Sequence, residues 1–416
     1  MTTHEDGVDS IVIGAGPAGL AAAHELMRVG RRVLVLEHGT TVATSWRSHR
    51  TGLRLHTVRR LSGLPGMPIP RSYGRYVTSA NLVRYLEQYR IQASIPVRFG
   101  VTVASIQRGD DTGRGPRWKI VTTSGTVYET ATVVMATGYN RVPHIPALPG
   151  LEVFEAPTIH VSEYTGGSQF SGRDILVVGS GNAAAEAATE LATAGTRRIQ
   201  MAVRTTPHIV RRRVGGISMQ RVAITMGLLP TGMADKIAAL LARLTVPDLS
   251  ARRMGRPRPD LYTRVERDQS VPVHDTGIVA LIESGTVDPV AAVTGFGPGT
   301  VQLADGSVLR PDTVIFATGY RRGLEGLLHG LNLLDEHGNP LSRSGTAAAP
   351  GFYFVGFTVS ATGALRQLST DARMVAHAES QNAGRVASSR HTSARFTDPA
   401  PGSPVVHASP SITGNG

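Results

Sequence analysis

The chain has no cysteine among its 416 residues. That absence removes disulfide scaffolds, thiolate zinc sites, iron–sulfur clusters and any Cys-x-x-Cys redox pair. No metal site is expected. Lysine is almost missing too: Lys119 and Lys236 are the only two, so arginine carries the net charge of +12. Apart from Arg211-Arg212-Arg213 the arginines are scattered, and no nucleic-acid motif accompanies them. A positive field still attracts phosphorylated cofactors or acidic substrates. No apolar run approaches the ~18–20 residues of a membrane span. The stretch Met1–Ser10, with Glu5, Asp6 and Asp9, lacks the pattern of a secretory signal. The expectation is a cytoplasmic protein without a membrane span. The remaining composition, 41% hydrophobic and 18% charged, suits a globular protein long enough for two domains.

What is present in abundance is glycine in a particular setting. Gly14-Ala15-Gly16-Pro17-Ala18-Gly19 follows the apolar run Ile11–Ile13, and Gly179-Ser180-Gly181-Asn182-Ala183-Ala184 follows Ile175–Val178. Each opens an alanine-rich helical stretch, the context a dinucleotide-binding fingerprint requires. The first glycine makes the tight turn and the second lets backbone approach a pyrophosphate. The third, or alanine in its place, lets the helix pack close on the strand, with phosphate at the helix N-terminus. One such motif is weak evidence. Two, about a domain apart, imply two dinucleotides on one chain.

The pattern predicts an α/β fold with two dinucleotide-binding, Rossmann-like domains, one inserted into the other. The first βαβ unit reads Asp9–Ile13, Pro17–Val29 and Arg32–Leu36; the second reads Asp174–Val178, Ala183–Ala194 and Arg198–Val203. After each comes a β-rich stretch and an apolar strand closing on Ala-Thr-Gly-Tyr, at 136–139 and 317–320. Thr137, Gly138, Thr318 and Gly319 are therefore candidate nucleotide contacts. Residues 1–165 and 310–389 are expected to form one domain and 166–309 the insert. A disordered tail is expected over 390–416, which is rich in Ser, Thr, Pro, Gly and Ala without apolar periodicity. Val222–Leu229 and Ala234–Leu244 are helix-compatible and separated by Pro230. They read either as surface helices packed on the insert or as a lid facing substrate.

The residue ending the second strand of each unit separates the cofactors. Glu37, about twenty residues beyond Gly14, can accept hydrogen bonds from ribose hydroxyls and would repel a 2′-phosphate. In the second unit Met201-Ala202-Val203-Arg204 ends without an acid. Arg204 can pair with a 2′-phosphate, although in so arginine-rich a chain it also reads as a solvated side chain. FAD is assigned to the first site and NADPH to the second. Their cradles are Gly14, Gly16, Pro17, Ala18, Gly19 and Glu37, and Gly179, Gly181, Asn182, Ala183 and Arg204.

Between the two motifs stands Phe154-Glu155-Ala156-Pro157-Thr158-Ile159-His160-Val161-Ser162-Glu163-Tyr164. It resembles the F-x-G-x-x-x-H-x-x-x-(F/Y) signature of class B flavin-containing monooxygenases, with Ala156 in the glycine position. Tyr164 favours the flavin-containing monooxygenase branch over Baeyer–Villiger enzymes, which usually place tryptophan there. The resemblance is nearest to the YUCCA-type branch, through Trp46, Leu53–His56, Leu64–Pro68, Tyr76–Thr78, Val271–Gly277 and Phe352–Phe357. Phe357 stands where disulfide reductases have an aspartate for the flavin ribityl chain. They also need a cysteine pair, so the chain is not one of them.

The resemblance implies that NADPH reduces FAD, reduced flavin binds O2, and a C4a-(hydro)peroxyflavin passes one oxygen atom to a small molecule. The product arises by N- or S-oxygenation, or by oxidative decarboxylation of an aryl 2-oxo acid. It adds Trp46 to the cofactor contacts and makes His56 and His160 the candidate catalytic residues. A histidine followed by Thr57 and Val58 is more often structural, and His160 reads as an organiser of NADPH and the linker rather than an acid–base catalyst. The rivals are a reductase passing electrons to a protein partner and a non-catalytic redox sensor.

Overall fold

The computed structural model describes residues 8–50, 52–109 and 117–394, with only the backbone over 383–394. Its first sheet has six strands in the order Ala347–Ala349, Phe352–Phe354, Thr132–Met135, Ser10–Ile13, Val33–Leu36 and Val97–Arg98. The last five run parallel. Ser10–Ile13, Val33–Leu36 and Thr132–Met135 are buried at every position, which is why they read as continuous apolar runs rather than alternating ones. Helices Pro17–Arg28 and Ser79–Gln92 and the start of the long helix Ala364–Ala394 pack on one face. A three-stranded antiparallel meander built on Trp118–Thr122 covers the other.

The second sheet repeats the plan, all parallel, in the order Val287–Val290, Arg198–Ala202, Asp174–Val178, Thr313–Phe316, Thr158–His160. Helices Asn182–Thr193 and Ile278–Glu283 lie on one face and the meander Val293–Leu309 on the other. Two expected boundaries move. Thr158–His160 and Thr313–Phe316 were placed outside the insert by the divisions at 165/166 and 309/310, yet both pair into its sheet. The reason lies in the repeat itself. Thr132–Met135 pairs with Ser10–Ile13 of its own unit, and Thr313–Phe316 does the same with Asp174–Val178.

The chain crosses between the sheets twice, and the two crossings pair with each other: Val142–Pro143 lies antiparallel to Tyr320–Arg321. The final helix runs to Ala394, past the point where the tail was expected to begin; 395–416 lie outside the described residues. Its buried Glu379 accepts from the Thr132 hydroxyl at 2.7 Å and the Tyr353 hydroxyl at 2.9 Å and pairs with Arg31. That ties the helix to the first sheet.

The ambiguous segment forms helices Met219–Met226 and Thr231–Thr245, with Pro230 capping the second. Asp235 accepts from the Tyr262 and Thr263 amides at 2.6 and 3.2 Å, anchoring it on helix Leu261–Asp268. Leu228, Met233, Leu240 and Leu244 face solvent. The segment is not confined to the insert, however: Gln220 bonds the Val58 amide at 2.9 Å and the Thr362 carbonyl at 2.8 Å, both in the other domain.

Candidate cofactor and active site

At the first loop Gly14 has φ +104°, and a Cβ there would come within 2.6 Å of the Ala136 carbonyl oxygen. A Cβ on Gly19 would overlap the Gly14 carbonyl oxygen. Above Gly16 nothing lies within 4 Å, and no side chain caps helix Pro17–Arg28. Its first amides therefore face open space, the cradle an FAD pyrophosphate fits. Pro17 costs nothing at that position because its missing N–H would be unpaired anyway; Ala18 abuts Gly356.

Glu37 is buried, 4% exposed. Its Oε2 accepts the Ala15 amide at 2.7 Å; its Oε1 accepts the Gly39 amide at 2.9 Å and the Thr44 hydroxyl at 3.1 Å. The carboxylate thus fixes the glycine loop and keeps lone-pair capacity on Oε2 for a ribose hydroxyl. Thr44 was not singled out by the sequence. Trp46, on the short helix Thr44–Arg47, packs against the helix-side core and edge-on to His49. The Ala43 amide, donating to Ala15 O at 3.0 Å, holds that helix beside the loop.

The second loop copies the first. Gly179 has φ +129° and its Cβ would overlap the Ala317 carbonyl oxygen, while Gly181 has nothing within 4 Å. Helix Asn182–Thr193 also lacks a side-chain cap, leaving the amides of Asn182 and Ala183 for phosphate. The Asn182 side chain is engaged elsewhere, bonding Pro272 O and the His274 amide at 2.9 Å each. Arg204 is exposed beside the loop, whose Ser180 hydroxyl reaches the Thr205 carbonyl at 3.0 Å. A recess lined by Ser180, Gly181, His208, Arg264 and Pro272 opens there. Arg264, held to Thr206 O at 2.7 Å, is a second cation that sequence spacing did not flag.

His160 is 1% exposed. Its Nε2 bonds the Gly319 carbonyl at 3.0 Å, and its Nδ1 meets the Ser162 hydroxyl at 2.8 Å and amide at 3.1 Å. Because a carbonyl only accepts and an amide only donates, the ring is the neutral Nε2–H tautomer. Burial lowers its pKa, outweighing the pull of the Gly319 carbonyl. Both nitrogens are committed to protein partners within the crossing, which leaves neither free for a bound ligand. Thr318 bonds the His144 carbonyl and Gly319 O also accepts the His144 amide. These two residues clamp the crossing as well. Thr137 keeps a buried hydroxyl without a protein partner, and Gly138, with φ +93°, has open space above it. The signature's aromatics pack structurally: Phe154 on Phe296, Tyr164 stacked on Phe170.

His56 lies where the domains meet. Its Nε2 is 3.0 Å from Glu186 Oε1, one turn into the NADPH-side helix, and its ring stacks on His274 at 4.8 Å with planes 5° apart. Arg50 pairs with Glu186 at 2.8 Å and Glu190 at 2.6 Å. Burial alone would raise the Glu186 carboxyl; His56 and Arg50 together outweigh it and hold it below the usual carboxylate range. Burial, reinforced by His56 and Arg212, pushes His274 down to about 3, so that ring is neutral. Arg212 reaches across to Leu55 O at 3.0 Å and lies 4.2 Å over the Tyr76 ring. Sequence reasoning found His56 but not its partners. Glu186, His274 and Arg212 lie far apart in the chain, and no local spacing marks their meeting. Among the described residues no cluster suits a metal ion, and no helix is long and apolar enough to cross a membrane.

A family model described as pyridine nucleotide-disulphide oxidoreductase matches residues 11–221. Without cysteine, the chain shares that family's architecture but not the thiol chemistry in its description. The chain is 32% identical to the probable indole-3-pyruvate monooxygenase YUCCA3 of Arabidopsis thaliana, covering 92% of this chain and 90% of that protein. It is 33% identical to indole-3-pyruvate monooxygenase YUCCA1 of Oryza sativa subsp. japonica, covering 84% and 86%. A solved flavin-containing monooxygenase from Stenotrophomonas maltophilia superposes with a TM-score of 0.68 over 92% of this chain and 99% of that one, at 24% identity. At that identity the likeness shows the fold.

Proposed function

The chain belongs to the class B flavin-containing monooxygenases, in the YUCCA-like branch, and from that premise we propose that it oxidatively decarboxylates an aryl 2-oxo acid. It is an oxidoreductase that uses FAD and NADPH and acts with O2 on a small molecule; an electron-transfer reductase is not favoured. The observation that carries the substrate reading is the one-third identity, along most of the chain, to proteins named for an aryl 2-oxo acid. Arg212, where the domains meet, bonds a backbone carbonyl and not a carboxylate, which is chemically compatible with an acid.

FAD and NADPH supply the reducing equivalents and the activation of dioxygen. The chain's own residues bind, orient and exclude water. Glu37 and the amides after Gly16 hold FAD. The amides after Gly181 hold the NADPH pyrophosphate, with Arg204 and Arg264 as its cationic partners. His160, Thr318 and Gly319 fix the angle between the domains, and so the approach of one cofactor to the other. His56, oriented by Glu186, faces the seam with its Nδ1 free of protein partners.

The overall reaction consumes the 2-oxo acid, O2, NADPH and a proton. It gives the acid one carbon shorter, CO2, water and NADP+. Incubating the holoenzyme with an aryl pyruvate and NADPH should give the aryl acetate and CO2 in step with NADPH loss. Oxygenation of amines or sulfides with no turnover of any aryl 2-oxo acid would overturn the substrate reading.

A further inference from the structure

Resting on that substrate reading, we propose that Arg212 and Tyr76 form the anchor for the substrate carboxylate, walled by the stacked rings of His56 and His274. Four buried polar atoms in this one cluster have no protein partner: Arg212 Nε, Tyr76 Oη, His56 Nδ1 and His274 Nδ1. Buried polar atoms are nearly always satisfied in a native fold, so a group of them in one place calls for a water, an ion or a ligand group among them. The charges say which ligand. Arg211, next in the chain, pairs with Asp275 at 3.1 Å, and Arg50 pairs with Glu186 and Glu190. Glu186, the acid of the cluster, is thereby taken by Arg50 and His56. Among the described residues no carboxylate pairs with Arg212.

Glu186 acts on Arg212 only at a distance, and a half-buried guanidinium without a bonded counterion is costly unless an anion arrives. This one is also held rigid. The Leu55 carbonyl at 3.0 Å and the Tyr76 ring at 4.2 Å fix its plane, leaving Nε–H and a further N–H for a planar anion. A carboxylate accepts such a pair side by side, and the Tyr76 hydroxyl can supply a third donor. Strand Ile209–Arg211, which delivers Arg212, pairs with Val273–Asp275, which delivers His274. Gln220 ties the following helix to Val58 and Thr362. The anchor is therefore assembled only when both domains are in contact, which fits a substrate admitted between two bound cofactors.

The test uses the FAD-loaded enzyme and a non-reactive pair of ligands, an aryl propionic acid and its primary amide, titrated by calorimetry. The wild type should bind the acid more tightly than the amide. Arg212→Gln should weaken acid binding by about 10- to 100-fold, the range for losing a charge-assisted hydrogen bond, and leave the amide within about threefold. Arg212→Lys should recover part of the loss, and Tyr76→Phe should lose less than Arg212→Gln. FAD content, the rate of flavin reduction by NADPH and melting temperature should stay near wild type. Equal weakening of acid and amide, no preference for the acid in the wild type, or a matching loss of NADPH affinity would each overturn the anchor. Acid-selective loss without decarboxylation of any aryl 2-oxo acid would keep the anchor and remove the substrate reading. Decarboxylation with an unchanged Arg212→Gln would do the reverse.

Discussion

The two nucleotide units share a backbone plan and differ in how they finish it. Both place a positive-φ glycine under the closing strand and a second glycine with open space above it. At the third position the first unit has Gly19, so tight against Gly14 that no Cβ fits, whereas the second has Ala184, fully buried with its Cβ accommodated. The strand ends diverge further. Glu37 is buried and bound by two amides and a hydroxyl before any nucleotide arrives; Arg204 is exposed. One strand end carries a buried, preorganised carboxylate, as would suit a cofactor that stays. The other carries an exposed cation, as would suit a nucleotide that enters and leaves each cycle.

The largest effect should come from exchanging the third positions. Gly19→Ala forces the helix away from the strand, a shift that costs about 1–3 kcal/mol and displaces the amides from the pyrophosphate. The protein should purify without flavin. The reciprocal Ala184→Gly should cost only about 1 kcal/mol in helix propensity and leave flavin absorbance intact. Equal damage from both exchanges would mean that the two units are packed alike.

The strand ends offer the next contrast. Glu37→Ala leaves the Ala15 and Gly39 amides without their acceptor, and hydrogen bonds to a charged group are worth about 1.5–3 kcal/mol. Melting temperature and flavin retention after gel filtration should fall together. Arg204→Ala should leave melting temperature unchanged, while NADPH affinity falls by roughly 10- to 100-fold and NADH affinity hardly at all. An equal loss for both nucleotides would show that Arg204 does not read the 2′-phosphate.

The smallest effect concerns the seam joining the units. His274 is held down to about 3 by burial, with His56 and Arg212 adding to it, against 6.5 for an unfolded chain. Below pH 6.5 the unfolded chain takes up a proton that the folded chain refuses, so stability falls as pH falls. Between pH 6.5 and 5.5 the loss is on the order of 1 kcal/mol. Thermal melts across that interval should show it, and His274→Gln should flatten the slope. A slope unchanged in the variant would assign it to other groups.

Both glycine loops and the strands and helices around them were legible in the sequence, because each depends on neighbours within one βαβ unit. The position of Thr313–Phe316 was misread although the information was present. Its Ala-Thr-Gly-Tyr ending matched that of Thr132–Met135, and the repeat implied pairing with its own unit. The seam was not legible. His56 meets Glu186, His274 and Arg212 only because two crossings pair and a helix of the insert reaches back through Gln220. Side chains brought together by such long-range contacts leave no periodic trace. Glu37 was half legible: its place was read, but its hold on Ala15 and Gly39 needed coordinates.

This enzyme delivers an oxygen atom to a small molecule rather than electrons to a partner. The decisive experiment runs the holoenzyme with NADPH and an aryl 2-oxo acid under dioxygen labelled with the heavy oxygen isotope, and weighs the product. One labelled atom should appear in the shortened acid, with product formed in step with NADPH consumed. Unlabelled product, or NADPH oxidation that proceeds only when an external electron acceptor is added, would contradict it.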